Sequence, residues 1–89
     1  MYLIEFYRVE NLLTEKERNT YLKKLGKRLR ELREKKGYTN YEFFAYDFGI
    51  SRTQYGKYEA GGNIQFDTLL KILKIHRLTL REFFSKGFE

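Results

Sequence analysis

The chain has no cysteine, no proline and no tryptophan among its 89 residues, and a single histidine. Without cysteine there is no disulfide framework, no thiolate metal site and no cysteine nucleophile. That suits a reducing compartment, and a cytoplasmic location is expected. His76 cannot build a zinc site without other ligands. It reads as an ordinary helix-end residue, so no metal or cofactor is expected. Without proline or low-complexity tracts nothing marks a flexible linker. No apolar run approaches the roughly 20 residues of a membrane span. The opening Tyr2-Leu3-Ile4-Glu5-Phe6-Tyr7-Arg8 lacks the basic flank and long apolar stretch of a signal peptide. Catalytic constellations are also missing. Glu15/Glu17 and Glu31/Glu34 are helix-surface acids with no serine–base pair to join them. Gly61-Gly62-Asn63 lacks the lysine and spacing of a phosphate loop. The expectation is a protein that is not an enzyme.

What is present is positive charge and aromatic side chains. The length suits one domain with a modest core, so a second copy of the chain is a plausible way to bury leftover apolar surface. The net charge is +6, which points to an acidic partner: nucleic acid, an anionic membrane or an acidic protein. The segment from Lys23 to Lys36 holds eight basic residues against Glu31 and Glu34, matching the excess of the whole chain. Taken alone, such a run is as readily a solvated helix face as a binding surface. A membrane-surface helix is the weakest reading, because this segment is better explained as the opening element of a larger motif.

Seven glycines provide the punctuation. Met1 to Leu13 is apolar and aromatic with partial alternation, and suits either a short strand or a helix. Thr14-Glu15-Lys16-Glu17 is a capping-box pattern that opens a long helix. Along it Tyr21, Leu22, Leu25, Leu29 and Leu32 recur at helical spacing, and Gly37 ends it. Asn40 caps a second, short helix with Phe43, Phe44 and Phe48 as its core face. Gly49 stops it, Ile50 enters the core, and Ser51 caps a third helix that ends before Gly61-Gly62. A fourth, from about Phe66 to Ile75, packs Phe66, Leu69, Leu70 and Leu73. Thr79-Leu80-Arg81-Glu82 opens a last short helix that places Phe83 and Phe84. An all-α, five-helix fold follows.

The stretch from Tyr41 to Glu59 is the informative one. Two helices separated by Gly49-Ile50-Ser51 form a helix-turn-helix if the first packs steeply across the second. That geometry needs a small residue at the crossing, and Ala45 stands there. It needs a turn residue that tolerates a left-handed backbone, and Gly49 does so. It also needs an inward apolar face on the second helix, which Tyr55 and Tyr58 supply.

Four segments carry a family resemblance: Leu29 to Gly37, Tyr41 to Ala45, Gly49-Ile50-Ser51-Arg52, and Tyr58-Glu59-Ala60-Gly61. Together with Phe66 to Leu73 and Leu80 to Phe84 they resemble the phage-repressor and Cro-like, or XRE, helix-turn-helix family. The likeness covers about residues 24 to 84. It implies a lambda-repressor-like domain at 23–85, behind an N-terminal extension at 1–22 and before a tail at 86–89. It further implies a transcriptional regulator, a repressor, binding double-stranded DNA as a homodimer. The helix from Arg52 to Glu59 would then enter the major groove N-terminus first. Arg52 suits bidentate bonds to guanine, Thr53 offers its methyl to thymine, and Gln54 reads adenine or touches phosphate. Lys57 faces the same way. Ser51 and the free amides of the helix start suit a phosphate oxygen. Asn63, with Gly61 and Gly62, would meet the other strand, and Lys27 and Arg28 are candidates for phosphate contact. By position in the family, Arg33 of the first helix pairs with Glu59 and holds the reading helix at its angle.

The sequence departs from the family pattern in three places. The loop after Gly37 is one residue longer, so Tyr38-Thr39 is expected to be reshaped. Tyr41 stands where glutamine is common; its hydroxyl would donate to phosphate from farther out. Gly56 in mid-helix costs about 1 kcal/mol relative to alanine, and would either allow close approach to DNA or mark relaxed constraint. A rival reading is an interaction module of the same fold, such as an antitoxin or accessory factor. Eight Phe and eight Tyr exceed what a core this small can hide. Residues 1–13 are the candidate dimer or partner surface.

Overall fold

The computed structural model describes residues 12–89 as helices and connecting turns, with no strand among them. Local caps set where most helices begin. Thr14 closes its capping box: its hydroxyl accepts from the Glu17 N–H at 3.1 Å, and its own N–H donates to the Glu17 carboxylate at 3.4 Å. From there α1 (Glu15–Lys35) runs without a break, so position 23 lies inside one continuous helix. Asn40 accepts from the N–H groups of Glu42 and Phe43 and starts α2 (Tyr41–Asp47). Ser51 accepts from the Gln54 N–H and starts α3 (Arg52–Glu59). No side-chain cap precedes α4 (Phe66–His76). A second capping box, Thr79 with Glu82, opens α5 (Leu80–Phe84).

Four helices end in the same way. An N–H just past the helix donates back to a carbonyl five residues earlier: Tyr38 to Arg33, Ile50 to Ala45, Gly62 to Lys57 and Leu78 to Leu73. This motif requires a left-handed residue just before the donor. Gly37, Gly49 and Gly61 fill that position in three cases, but at the end of α4 it is Arg77, with φ 57°. An arginine there gives no turn signal in the sequence, and the helix ends at His76, within a residue of the expected Ile75. In three of the four cases the donor, Tyr38, Ile50 or Leu78, then packs against the core.

That core comprises Leu25, Leu29, Leu32, Phe44, Ala45, Tyr55, Leu69, Ile72, Leu73 and Phe83. Several expected core residues lie elsewhere. Phe43 is 67% exposed and Phe66 60%; Tyr21, Phe48, Leu70 and Phe84 are exposed as well. A seven-residue helix has one inward face, and Phe44 with Ala45 occupies it. Phe43 is one residue, about 100° of rotation, away from Phe44. On α4 the inward stripe is Leu69, Ile72 and Leu73, and Ile72 escaped the sequence reading. Residues 12–21 are all exposed, so the first turns of α1 add nothing to this core. The expected role of residues 1–13 as a dimer or partner surface falls mainly on residues 1–11, outside the described part. Leu12 and Leu13 within it are exposed.

Arg28 also differs from expectation. Rather than facing a phosphate, it donates from Nε to the Phe83 carbonyl at 2.9 Å and from Nη2 to the Glu82 carbonyl at 3.2 Å. A five-residue helix leaves most of its carbonyls without internal partners, and a cation at its C-terminal end satisfies two of them.

His76 does more than end a helix. Its ring stacks on Phe44 at 5.4 Å and 6°, and its Nε2 is buried with no hydrogen-bond partner among the described residues. Burial, then the charges of Lys36 and Arg28, lower its pKa to about 4. The unfolded chain takes up this proton near 6.5, so the stabilisation is complete above that pH and is lost as pH falls toward 4. Between pH 7 and 5 wild-type stability should fall by roughly 1–2 kcal/mol from this residue. His76→Phe, which keeps a stacked ring, should remove that part of the loss in urea titrations. An identical fall in the variant would assign the acid sensitivity to other groups.

Candidate nucleic-acid interface

The turn between α2 and α3 is built around backbone bonds. Ala45, fully buried, accepts the Ile50 N–H at 2.8 Å. Gly49 has φ 69°, and a Cβ placed on it would meet nothing within 4 Å. The glycine is there for its backbone angle, not for space. Across the turn Tyr55 is fully buried, its ring 5.0 Å from that of Phe44. Tyr58 packs beside it, partly buried. This inward face sets which side of α3 looks out.

A buried ion pair holds the far end of α3. Arg33 donates from Nε to Glu59 Oε2 at 2.9 Å and from Nη2 to Oε1 at 2.8 Å. Both side chains are nearly inaccessible, 5% and 9% exposed. The third guanidinium nitrogen donates to the Tyr38 carbonyl at 2.8 Å. The same arginine therefore fixes both α3 and the loop that is one residue longer than the family pattern. That loop is further pinned by its tyrosine. Tyr38 packs edge-on against Phe44 and Phe48, and its hydroxyl donates to Asp47 at 2.6 Å. The Tyr55 hydroxyl is buried without a hydrogen-bond partner among the described residues. Burial above all, then Glu59, push its ionisation far up, so it stays neutral.

Two glycines set how closely α3 is packed. Gly26 of α1 was not singled out by the sequence reading, yet it is buried where α1 crosses the end of α3. A Cβ there would lie 2.5 Å from the Glu59 carbonyl oxygen and 2.6 Å from that of Tyr58. A signal existed: Gly26 follows Leu22 by four and precedes Leu29 by three, on the buried stripe of a helix where glycine is otherwise unfavourable. Gly56 of α3 is filled from outside by Tyr41. A Cβ at position 56 would lie 2.7 Å from Tyr41 Cε1 and 2.9 Å from both Cζ and Oη. Close approach does occur at Gly56, and the group that approaches is the protein's own tyrosine.

The remaining site residues lie on or beside the outer face of α3. Arg52, Thr53, Gln54 and Lys57 are all exposed, and none of their side chains has an intramolecular hydrogen bond or ion pair among the described residues. The Ser51 hydroxyl caps the helix and remains exposed, as does Asn63 in the following loop. Gly62 is demanded by the turn itself, since a Cβ would crowd the Lys57 carbonyl at 2.9 Å. Gly61 lies against Lys23 of α1, which brings one more cation to the edge of this surface. Residues 52, 53, 54 and 57 contribute two cations and no acid to this outer face. Arg52 also borders a shallow groove with Asn40, Glu42, Phe43, Tyr46 and Asp47.

Among the described residues no group of three His, Asp or Glu side chains could hold a metal ion. No helix there is long and apolar enough to cross a membrane. A family model described as helix-turn-helix matches residues 29–83, from the second half of α1 to the buried Phe83 of α5. No curated protein and no solved structure matches the chain.

Proposed function

Since the chain belongs to the XRE/Cro-like helix-turn-helix family of DNA-binding regulators, we propose that it is a sequence-specific transcriptional repressor that lays α3 in the major groove. One observation carries this reading. Among the described residues Arg52, Thr53, Gln54 and Lys57 stand exposed with no side-chain partner, while Tyr55, Tyr58 and Glu59 clamp the opposite face to the domain. A helix held on one side and left bare and cationic on the other is what groove readout needs.

In this arrangement Arg52 forks onto a guanine, Thr53 meets a thymine methyl and Gln54 an adenine edge. Lys57 lies deeper along the groove. Ser51, the first amides of α3, and Asn63 meet phosphate oxygens, with Lys23 and Lys27 adding sequence-independent attraction. A homodimer, joined through the segment 1–13, would place two such helices about 10 base pairs apart on an inverted repeat.

Selection of bound duplexes from a random pool tests the whole reading: a palindromic consensus supports it, and a pool that enriches nothing defeats it. Arg52→Ala should then cost about 1–3 kcal/mol on the selected duplex and little on a scrambled one. Equal losses on both would remove Arg52 from the reading set. A second reading, an interaction module of the same fold such as an antitoxin, has support from Phe43 and Tyr46, 67% and 76% exposed on α2. An unenriched pool would favour it.

A further inference from the structure

The two departures from the family pattern that lie nearest to α3, Tyr41 and Gly56, meet in space. We propose that they form one device: the Tyr41 ring, seated in the notch left by Gly56, is a positioning residue that sets the depth and angle at which α3 presents its reading side chains. This rests on the DNA-reading role above and names what tunes it.

The geometry leaves no room for a side chain at position 56 while Tyr41 keeps its place, since a Cβ there would overlap Cε1, Cζ and Oη. The ring also leans on Tyr55, with centroids 6.5 Å apart. Tyr55 in turn is sealed between Phe44 and the Arg33–Glu59 pair. Tyr41 thus ties the first residue of α2 to the middle of α3, across the open side of the turn. Arg33 and Glu59 hold the end of α3, and Gly49 joins its start to α2. Phe44 of α2 supports α3 from the inner side at Tyr55, and Tyr41 adds the contact on the outer side at Gly56. Gly56 lies one residue before Lys57 and two after Gln54. A rotation of α3 about its axis at this point would turn every reading side chain together. Tyr41 is 37% exposed, so part of the side chain faces solvent while the edge carrying Cε1, Cζ and Oη lies against Gly56.

The two roles available to Tyr41 have different signatures. A phosphate-donating hydroxyl would raise affinity for every duplex alike, whereas a brace would change the ratio between right and wrong sequences. The experiment uses the full chain, the duplex recovered by selection with wild type, and a scrambled duplex of the same length. Tyr41→Ala and Gly56→Ala should each lower the selected-to-scrambled affinity ratio by about fivefold or more, the lower end of what one base contact contributes. Tyr41→Phe, which keeps the ring, should hold the ratio at the wild-type value.

Thermal unfolding gives an independent readout. Gly56→Ala in the Tyr41→Ala background should raise the midpoint by about 4–8 °C, because helix propensity is then gained with no ring to displace. In the wild-type background the same change should give little or none of that gain. Equal effects in both backgrounds would mean that ring and notch are not coupled. Coupled midpoints with an unchanged affinity ratio would make Tyr41 a structural residue only. Loss of the ratio in Tyr41→Phe would return the role to the hydroxyl. A wild-type chain that selects no duplex would overturn the DNA reading and this role with it, even if the midpoints remain coupled. A clear wild-type consensus with an unchanged ratio in Tyr41→Ala would overturn the brace alone.

Discussion

Arg33→Met is expected to destabilise the fold by about 3–5 kcal/mol, the range for removing one partner of a buried ion pair. Methionine fills much of the same volume, so the loss comes from chemistry rather than from a cavity. It leaves the Glu59 carboxylate, 9% exposed, without its two charged donors, and strips the Tyr38 carbonyl of its bond. Small domains have roughly 5–15 kcal/mol in total, so much of the margin goes. Arg33→Lys should recover only part of it, because an ammonium cannot fork onto a carboxylate and also reach a carbonyl at a third angle. Replacing both partners with apolar residues should recover much more, since no charge is then left buried. Urea titration of the three variants reads these differences. A loss below about 1 kcal/mol for Arg33→Met would place the pair with ordinary surface bridges.

The second large effect is expected from one methyl group. On helix propensity alone, Gly26→Ala should stabilise α1 by about 1 kcal/mol. The structure reverses that sign. The new Cβ would press on the Glu59 and Tyr58 carbonyl oxygens at 2.5 and 2.6 Å, and neither is the end of a side chain that can swing aside. The Tyr58 carbonyl also accepts the Gly61 N–H that closes α3. Either α1 lifts from α3 or the end of α3 moves, and both disturb the Arg33–Glu59 pair. The net loss should be about 3 kcal/mol, at the upper end for overpacking. In a domain of this size that is a fall of about 12 °C or more in the unfolding midpoint. If α3 reads DNA as proposed, sequence-specific affinity should fall with it, because α3 is the displaced element. An unchanged or higher midpoint would show that the α1–α3 crossing has slack. Gly56→Ala differs because its Cβ meets the far end of a tyrosine side chain, which can move.

The reach of the sequence reading varied from one part of the molecule to another. The caps Thr14, Asn40, Ser51 and Thr79 were recognisable because each hydrogen bond spans at most three residues. Gly37, Gly49 and Gly61 were equally plain, since the left-handed backbone they serve is a local demand. Arg77 meets the same demand without the usual residue and gave no sign of it. In the site, the outward set at 52, 53, 54 and 57 follows from helical period once Tyr55 is placed inside. The Arg33–Glu59 pairing was suggested by family resemblance, because a separation of 26 residues puts it beyond any local pattern.

By itself, then, the order of residues settled where most helices start and stop, which face of α3 looks outward, and that an all-helical domain of this family would result. Tertiary structure alone decided which aromatics are hidden, that Arg28 serves the end of α5, that Gly26 lets α1 touch α3, and that Tyr41 fills the space at Gly56. The division has one cause. Caps, turns and periodicity involve neighbours within a few positions of the chain, so their energetics are written locally. A crossing or a buried ring depends on what arrives from a distant segment, and nothing beside Gly26 or Tyr41 announces its partner.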